Sequence, residues 1–195
     1  MSAERPMLLP VHALALTLAL VIGCGAEPAE EPRPAPPPEE PAAPPPAPTP
    51  DWIDVDAESL EGALRARPEP LLLVNVWSTW CAPCVEEMPD VIATARRYAP
   101  RGLGLVLIAA DAPSNREAAL AFLRERGAPL PSWFKRGSDD AFVRAVHPEW
   151  SGALPVTLLY DRERRVRHVW FDPVDEAALR GPIESLLPLE NGEGT

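Results

Sequence analysis

The chain has 195 residues, of which 46% are apolar, and its 29 acidic and 18 basic side chains give a formal net charge of -11. That length suits one domain plus appendages, and the apolar share is enough for a real core. Charge this negative argues against a nucleic-acid reader, because a phosphate backbone calls for a basic footprint and none is present.

Residues 1–23 read as a targeting segment. The stretch Leu8 to Ile22 is largely apolar. It is shorter than the roughly 20 residues of a comfortable membrane span and fits the apolar region of a secretory signal peptide. It ends in Val21-Ile22-Gly23-Cys24, which resembles the bacterial lipoprotein cleavage box. There a small residue precedes a Cys that is lipidated and becomes the new N-terminus. The opposing reading is a short uncleaved anchor with an incidental Cys, and the single basic Arg5, offset by Glu4, favours that side. Residues 24–50 are dominated by Pro, Ala and Glu, with runs Pro36-Pro37-Pro38 and Pro44-Pro45-Pro46. Such a segment cannot bury apolar area and is expected to be a disordered, polyproline II-like spacer. At about 3.1 Å per residue its reach is on the order of 70 Å, enough to hold a domain away from a membrane.

Residues 51–188 carry the folded domain, and 189–195 read as a disordered tail. Trp52 to Val55 reads as a short strand and Glu58 to Arg67 as a helix. Leu71 to Val76 is a continuous apolar run behind Pro70, the pattern of a buried strand. A helix is expected over Ala82 to Tyr98, with Pro89 inside it. Leu103 to Ala110 is a second buried strand. Asn115 to Arg126 reads as a helix stopped by Gly127, and Asp139 to Val146 as a short helix. Val156 to Tyr160 and Val166 to Phe171 flank the polar turn Asp161 to Arg165 and suggest a hairpin. Asp175 to Leu187 is a closing helix. This order implies an α/β domain, a central mixed β-sheet with helices on both faces.

Three cysteines are present, Cys24, Cys81 and Cys84, an awkward number for a disulfide framework. The count resolves if Cys24 takes the lipid and the other two form a couple. In Cys81-Ala82-Pro83-Cys84 the first cysteine falls where a strand ends and a helix begins. A thiol there meets the positive end of the helix dipole, and its pKa falls below the free value of about 8.5. The thiolate is the attacking species in disulfide exchange, so Cys81 reads as the nucleophile and Cys84 as the resolving thiol, one turn deeper. The competing readings are a structural disulfide and a metal site. Zinc wants two further ligands, whereas His147 and His168 stand apart and no second Cys pair exists. No metal and no cofactor are therefore expected, although copper held by the two thiols stays open as a metallochaperone or thiol-binding alternative. A peroxidase is disfavoured, because Thr79 stands two residues before Cys81 and not three.

The run Leu73-Val74-Asn75-Val76-Trp77-Ser78-Thr79-Trp80-Cys81-Ala82-Pro83-Cys84, continuing through Val85-Glu86-Glu87-Met88-Pro89, resembles the thioredoxin fold. More closely it resembles the TlpA-like branch, membrane-tethered periplasmic thioredoxins that include the cytochrome c maturation reductases. The resemblance implies that Asn75 stands where thioredoxin carries a buried Asp. It implies that Glu87, three residues after Cys84 on the same helical face, is the family's active-site acid. A partly buried carboxylate beside a thiol has a raised pKa and suits general acid–base work; the plainer reading is a first-turn acid opposing the helix dipole. Pro89 matches the family's helix-kinking proline. Trp80 is expected as a packing residue and substrate-facing wall. Ser151-Gly152-Ala153-Leu154-Pro155-Val156-Thr157 matches the family's cis-proline loop, with Leu154 and Pro155 shaping a groove for substrate backbone. After the following strand the family often has Asp-x-x-Gly; Asp161-Arg162-Glu163-Arg164 lacks the glycine. His147-Pro148-Glu149-Trp150 adds a His and an aromatic near the loop, more as packing than as a substrate contact.

The resemblance further implies a lipid-anchored enzyme on the outer side of a bacterial membrane. Its partners would be extracytoplasmic proteins bearing disulfides, such as apocytochrome c or copper proteins, and a membrane thiol donor. The reductive direction is favoured, because Ala82-Pro83 adds no charge or His that would make the pair a strong oxidant.

Overall fold

The computed structural model describes residues 50–187. The expected signal segment, Cys24, nearly all of the proline-rich spacer and the terminal tail lie outside them. Among the described residues no helix is long and apolar enough to cross a membrane.

The elements in chain order are β1 (Trp52–Val55), α1 (Leu60–Arg65), β2 (Leu71–Trp77), α2 (Ala82–Tyr98), β3 (Leu103–Ala109), α3 (Arg116–Glu125), β4 (Ser132–Lys135), α4 (Asp139–Val146), β5 (Val156–Tyr160), β6 (Val166–Trp170) and α5 (Glu176–Leu186). The strands form one six-stranded sheet in the order β1-β4-β3-β2-β5-β6. β1, β4, β3 and β2 run parallel to their neighbours. β5 pairs antiparallel with β2, and β6 antiparallel with β5. The mixed sheet with helices on both faces is as the sequence implies. β4 is the element the apolar pattern does not announce: Ser132–Lys135 is four residues long, and prolines at 129 and 131 precede it.

Side-chain alternation assigns each strand residue to a face. Leu71, Leu73 and Trp77 of β2, with Leu103, Leu105 and Leu107 of β3, join a core filled by Met88, Val91 and Ile92 of α2, Leu120 and Leu123 of α3, and Leu179 and Ile183 of α5. Leu72, Val74 and Val76, with Val106 and Ile108, join the opposite core with Leu60 and Leu64 of α1 and Phe142 and Val146 of α4. Both central strands are buried on both faces, which explains why they read as unbroken apolar runs. Burying each Leu, Val or Met is worth about 1.5–3 kcal/mol, so the two cores hold β2 and β3 rigidly at the centre. Asn75 breaks the run on the face of Leu73 and Trp77, in the sheet's middle strand, and its purpose lies in the site.

The β5–β6 turn shows how the chain replaces the absent glycine. Arg164 itself adopts φ 59°, a left-handed conformation uncommon for a side-chain-bearing residue. Its guanidinium donates to the carbonyls of Leu64 (2.8 Å), Arg67, Glu69 (2.9 Å) and Asp161 (3.0 Å). The turn is thereby pinned to the segment that follows α1.

Candidate active site

β2 ends at Trp77, and a three-residue connection, Ser78 to Trp80, delivers Cys81 to the N-terminus of α2. Cys81 is the N-cap residue (φ -88°, ψ 99°). Its Sγ accepts from the backbone N–H of Cys84 at 3.3 Å, so a sulfur does the work that a Ser or Asp oxygen ordinarily does at a helix start. Pro83 lies in the first turn, where its missing N–H costs nothing. Cys81 and Cys84 are joined as a disulfide, and both are buried. The helix then runs on through Pro89 to Tyr98.

The connection is tied to the end of β3. The N–H of Ala110 donates to the Trp77 carbonyl at 2.8 Å, and the N–H of Cys81 to that of Ser78 at 3.2 Å. The N–H of Thr79 reaches both oxygens of Asp111, at 3.2 and 3.1 Å, and its hydroxyl also donates to Oδ1. Asp111 is only 3% exposed. Asp111 is not among the residues that the sequence singles out. The available signal was its place just beyond the C-terminal end of a parallel strand, where α/β sheets gather their functional groups.

Glu87 lies beyond the first turn of α2, so a simple dipole-opposing role does not describe it. It is 4% exposed. Its Oε1 accepts from the Asn75 amide at 2.8 Å, and its Oε2 from the N–H of Val174 at 2.7 Å. The same Asn75 nitrogen donates to Thr157 Oγ1 at 2.9 Å. Burial pushes the Glu87 carboxyl above its ordinary range, partly countered by the Val174 and Asn75 hydrogen bonds. Glu87 also lines a cleft of about 390 Å³ with Pro83, Glu86, Asp90 and Val174.

The Leu154–Pro155 peptide is cis, as the resemblance implies; a second cis bond, Leu130–Pro131, precedes β4. Val156 pairs with Val76, so Pro155 sits at the end of the sheet from which the Cys81 connection departs. Gly152 permits the approach to this loop: its φ is +90°, and a Cβ there would stand 3.2 Å from Val143 Cγ2. Trp150 is buried, and its Nε1 donates to the Ala153 carbonyl at 2.6 Å. His147 lies edge-on to Phe171 at 5.8 Å. Trp150 is thus the packing residue expected of that segment.

Trp80 departs from expectation in one respect. It is 67% exposed and is not a packing residue, because the connection turns it away from both cores. It lines a cleft of about 270 Å³ together with Phe142, Val143, Trp150 and Leu154. Lys135 and Asp139 line this cleft and also a neighbouring one that contains Asp111. Among the described residues no three His, Cys, Asp or Glu side chains gather as a metal site, so a copper reading has only the two cysteines to work with.

Comparison with known proteins agrees with this geometry. The Redoxin family model matches residues 54–179. The chain is 25% identical over 139 residues to the thiol-disulfide oxidoreductase ResA of Bacillus thuringiensis, covering 71% of this chain and 76% of that protein. It is 28% identical over 122 residues to the thiol:disulfide interchange protein DsbE of Allochromatium vinosum, covering 62% of this chain and 61% of that one. Among solved structures, a DsbF homologue from Corynebacterium diphtheriae superposes with a TM-score of 0.51 at 25% identity, over 60% of this chain and 71% of its own. The thioredoxin-fold, TlpA-like resemblance carried by Leu73 to Pro89 is borne out.

Proposed function

We propose, on the premise that the chain belongs to the Redoxin family and is a thiol–disulfide oxidoreductase, that it reduces disulfides of extracytoplasmic client proteins while tethered to a membrane through lipid on Cys24. The observation that carries the chemistry is Cys81 Sγ at the N-cap of α2, accepting from the Cys84 N–H. A thiolate at that position is stabilised by the same N–H and by the helix terminus.

In the reduced protein the Cys81 thiolate attacks one sulfur of a client disulfide. The new bond joins Cys81 to the client, and the client's second sulfur leaves as a thiolate. Cys84 then gives up its proton and attacks Cys81 Sγ. That forms the Cys81–Cys84 disulfide and releases the client's first sulfur. Two electrons pass to the client, and the two released thiolates take one proton each. Glu87 is the acid–base group for the Cys84 proton, because it follows Cys84 by three residues on one helical face and burial raises its carboxyl. Trp80, Leu154 and Pro155 receive the client segment. A membrane thiol donor restores the dithiol.

The test is trapping with Cys84→Ser, which stops the reaction at the mixed disulfide. Clients recovered on Cys81 and identified by mass spectrometry are the expected result. No adduct, together with no turnover of insulin disulfides by the unaltered protein, rejects the exchange chemistry. A reduction potential in the range of strong periplasmic oxidants reverses the assigned direction.

A further inference from the structure

We propose that Asp111 is a positioning residue for the Cys81 thiol and acts through Thr79; the proposal rests on Cys81 being the nucleophile. Three observations lead to it. Asp111 is a carboxylate 3% exposed, and burying an ionisable group is costly unless its oxygens are occupied. Both oxygens are occupied by one residue, Thr79, through its N–H and its hydroxyl. Thr79 lies two residues before Cys81, inside the only covalent path from the rigid end of β2 to the N-cap of α2.

The connection has few other anchors. Ala110 holds Trp77, the strand residue from which it departs, and Ser78 turns it internally, taking the Cys81 N–H on its carbonyl and the Trp80 N–H on Oγ at 3.3 Å. Trp80 points into solvent and contributes little restraint. The Asp111 clamp is therefore what fixes the middle of the connection to the end of β3. The Cys81 Sγ contact with the Cys84 N–H, at 3.3 Å, depends on where that connection delivers Cys81. Loosening the clamp lets Sγ drift from the helix terminus and lowers the thiolate fraction at neutral pH.

The deciding variants are Thr79→Val, which removes the hydroxyl but keeps shape and backbone N–H, and Thr79→Ser, which restores the hydroxyl. Alkylation of Cys81 by iodoacetamide is followed against pH in the reduced full chain, beside insulin-disulfide turnover and a thermal melt. Thr79→Val is expected to move the alkylation midpoint upward and to slow alkylation at neutral pH about three- to tenfold, the thiolate lost to a pKa rise of about half to one unit. Thr79→Ser returns both to the unaltered values. Asp111→Ala has at least the effect of Thr79→Val, since it also takes away the acceptor of the Thr79 N–H, and the double variant is no slower than Asp111→Ala alone, because both changes open one clamp. If Asp111→Ala does not fold, the Val and Ser pair decides the matter. A folded Thr79→Val variant with an unmoved midpoint overturns the proposal, as does a Ser variant as slow as the Val one. An unaltered protein that cannot reduce insulin disulfides instead defeats the redox reading beneath it, so the two failures are distinct.

Discussion

The side-chain amide of Asn75, in the middle of β2, donates across 2.8 Å to Oε1 of Glu87, so the central strand directly grips the acid that follows the cysteine pair on α2. The grip is only partial compensation. Burial raises the Glu87 carboxyl, and the Val174 and Asn75 hydrogen bonds do not fully offset it. With a folded-state pKa above the unfolded one, the folded protein holds this proton over a range where the unfolded chain has lost it. The associated stability is complete below the ordinary glutamate value and is lost as pH rises through the folded value.

Glu87→Gln removes that titration. Its new amide N–H finds an acceptor, because Asn75 Oδ1 is without a partner and the Asn75 amide can turn toward it. Thermal melts from acid to neutral pH are expected to lose the part of the pH-dependent decline that Glu87 contributes. Disulfide exchange slows by about 10²-fold, the lower end of general acid–base contributions, and its pH–rate profile loses one limb. A variant with an unchanged profile removes Glu87 from the proton path.

Trp80 tests the proposed client-binding face separately from the chemistry. Its side chain is largely in water, so Trp80→Ala should alter folding stability by no more than about 0.5 kcal/mol. It also strips one wall from the cleft shared with Trp150 and Leu154. Losing about 1.4 kcal/mol of apolar contact raises KM for a protein disulfide about tenfold, while kcat and the reaction with a small disulfide stay as they were. Equal losses with large and small substrates place Trp80 elsewhere.

How far the sequence could be read follows the same physical divisions. β2 and β3 were legible because burial on both faces writes an unbroken apolar run, and α2 because the cysteine motif marks its start. The cysteine pair was legible from its spacing together with the Trp before it, the Pro within it and the strand that leads to it. β4 was not, since four residues behind Pro131 carry no periodicity and their strand character comes from pairing with β1 and β3. Asp111 was missed because its partner Thr79 is 32 residues away in sequence. The exposure of Trp80 was not legible, because composition does not reveal which way a connecting segment turns its side chains. Arg164 was seen only as an absent glycine, and its carbonyl contacts reach back about 100 residues along the chain.

Trp150 anchors the loop that leads to Pro155. Trp150→Phe keeps most of the buried ring but leaves the Ala153 carbonyl without the indole donor at 2.6 Å. Ala153 is exposed, so water can take the place of the indole and the loss is the net worth of one hydrogen bond, about 0.5–1.5 kcal/mol. The melting temperature should fall accordingly, and KM for protein disulfides should rise, because Trp150 and Leu154 line the same cleft. A fall in stability with an unaltered KM would show that the loop keeps its shape without this bond.

Arg164 separates backbone strain from side-chain anchoring. At φ 59° a residue with a Cβ pays roughly 1–2 kcal/mol that glycine does not. Against that stand four contacts from its guanidinium to main-chain carbonyls, one in the turn at Asp161 and three at the end of α1 and beyond it, each worth about 0.5–1.5 kcal/mol or more for a charged donor. The anchoring therefore outweighs the strain. Arg164→Gly is expected to destabilise by about 1–2 kcal/mol despite relieving φ, and Arg164→Ala, which loses the contacts and keeps the strain, by about 1 kcal/mol more. Urea unfolding of the three proteins gives the order directly, and insulin-disulfide turnover should be equal in all of them while they remain folded. A glycine variant as stable as the unaltered protein would mean that the guanidinium contacts add nothing, and that the arginine is merely tolerated in the turn.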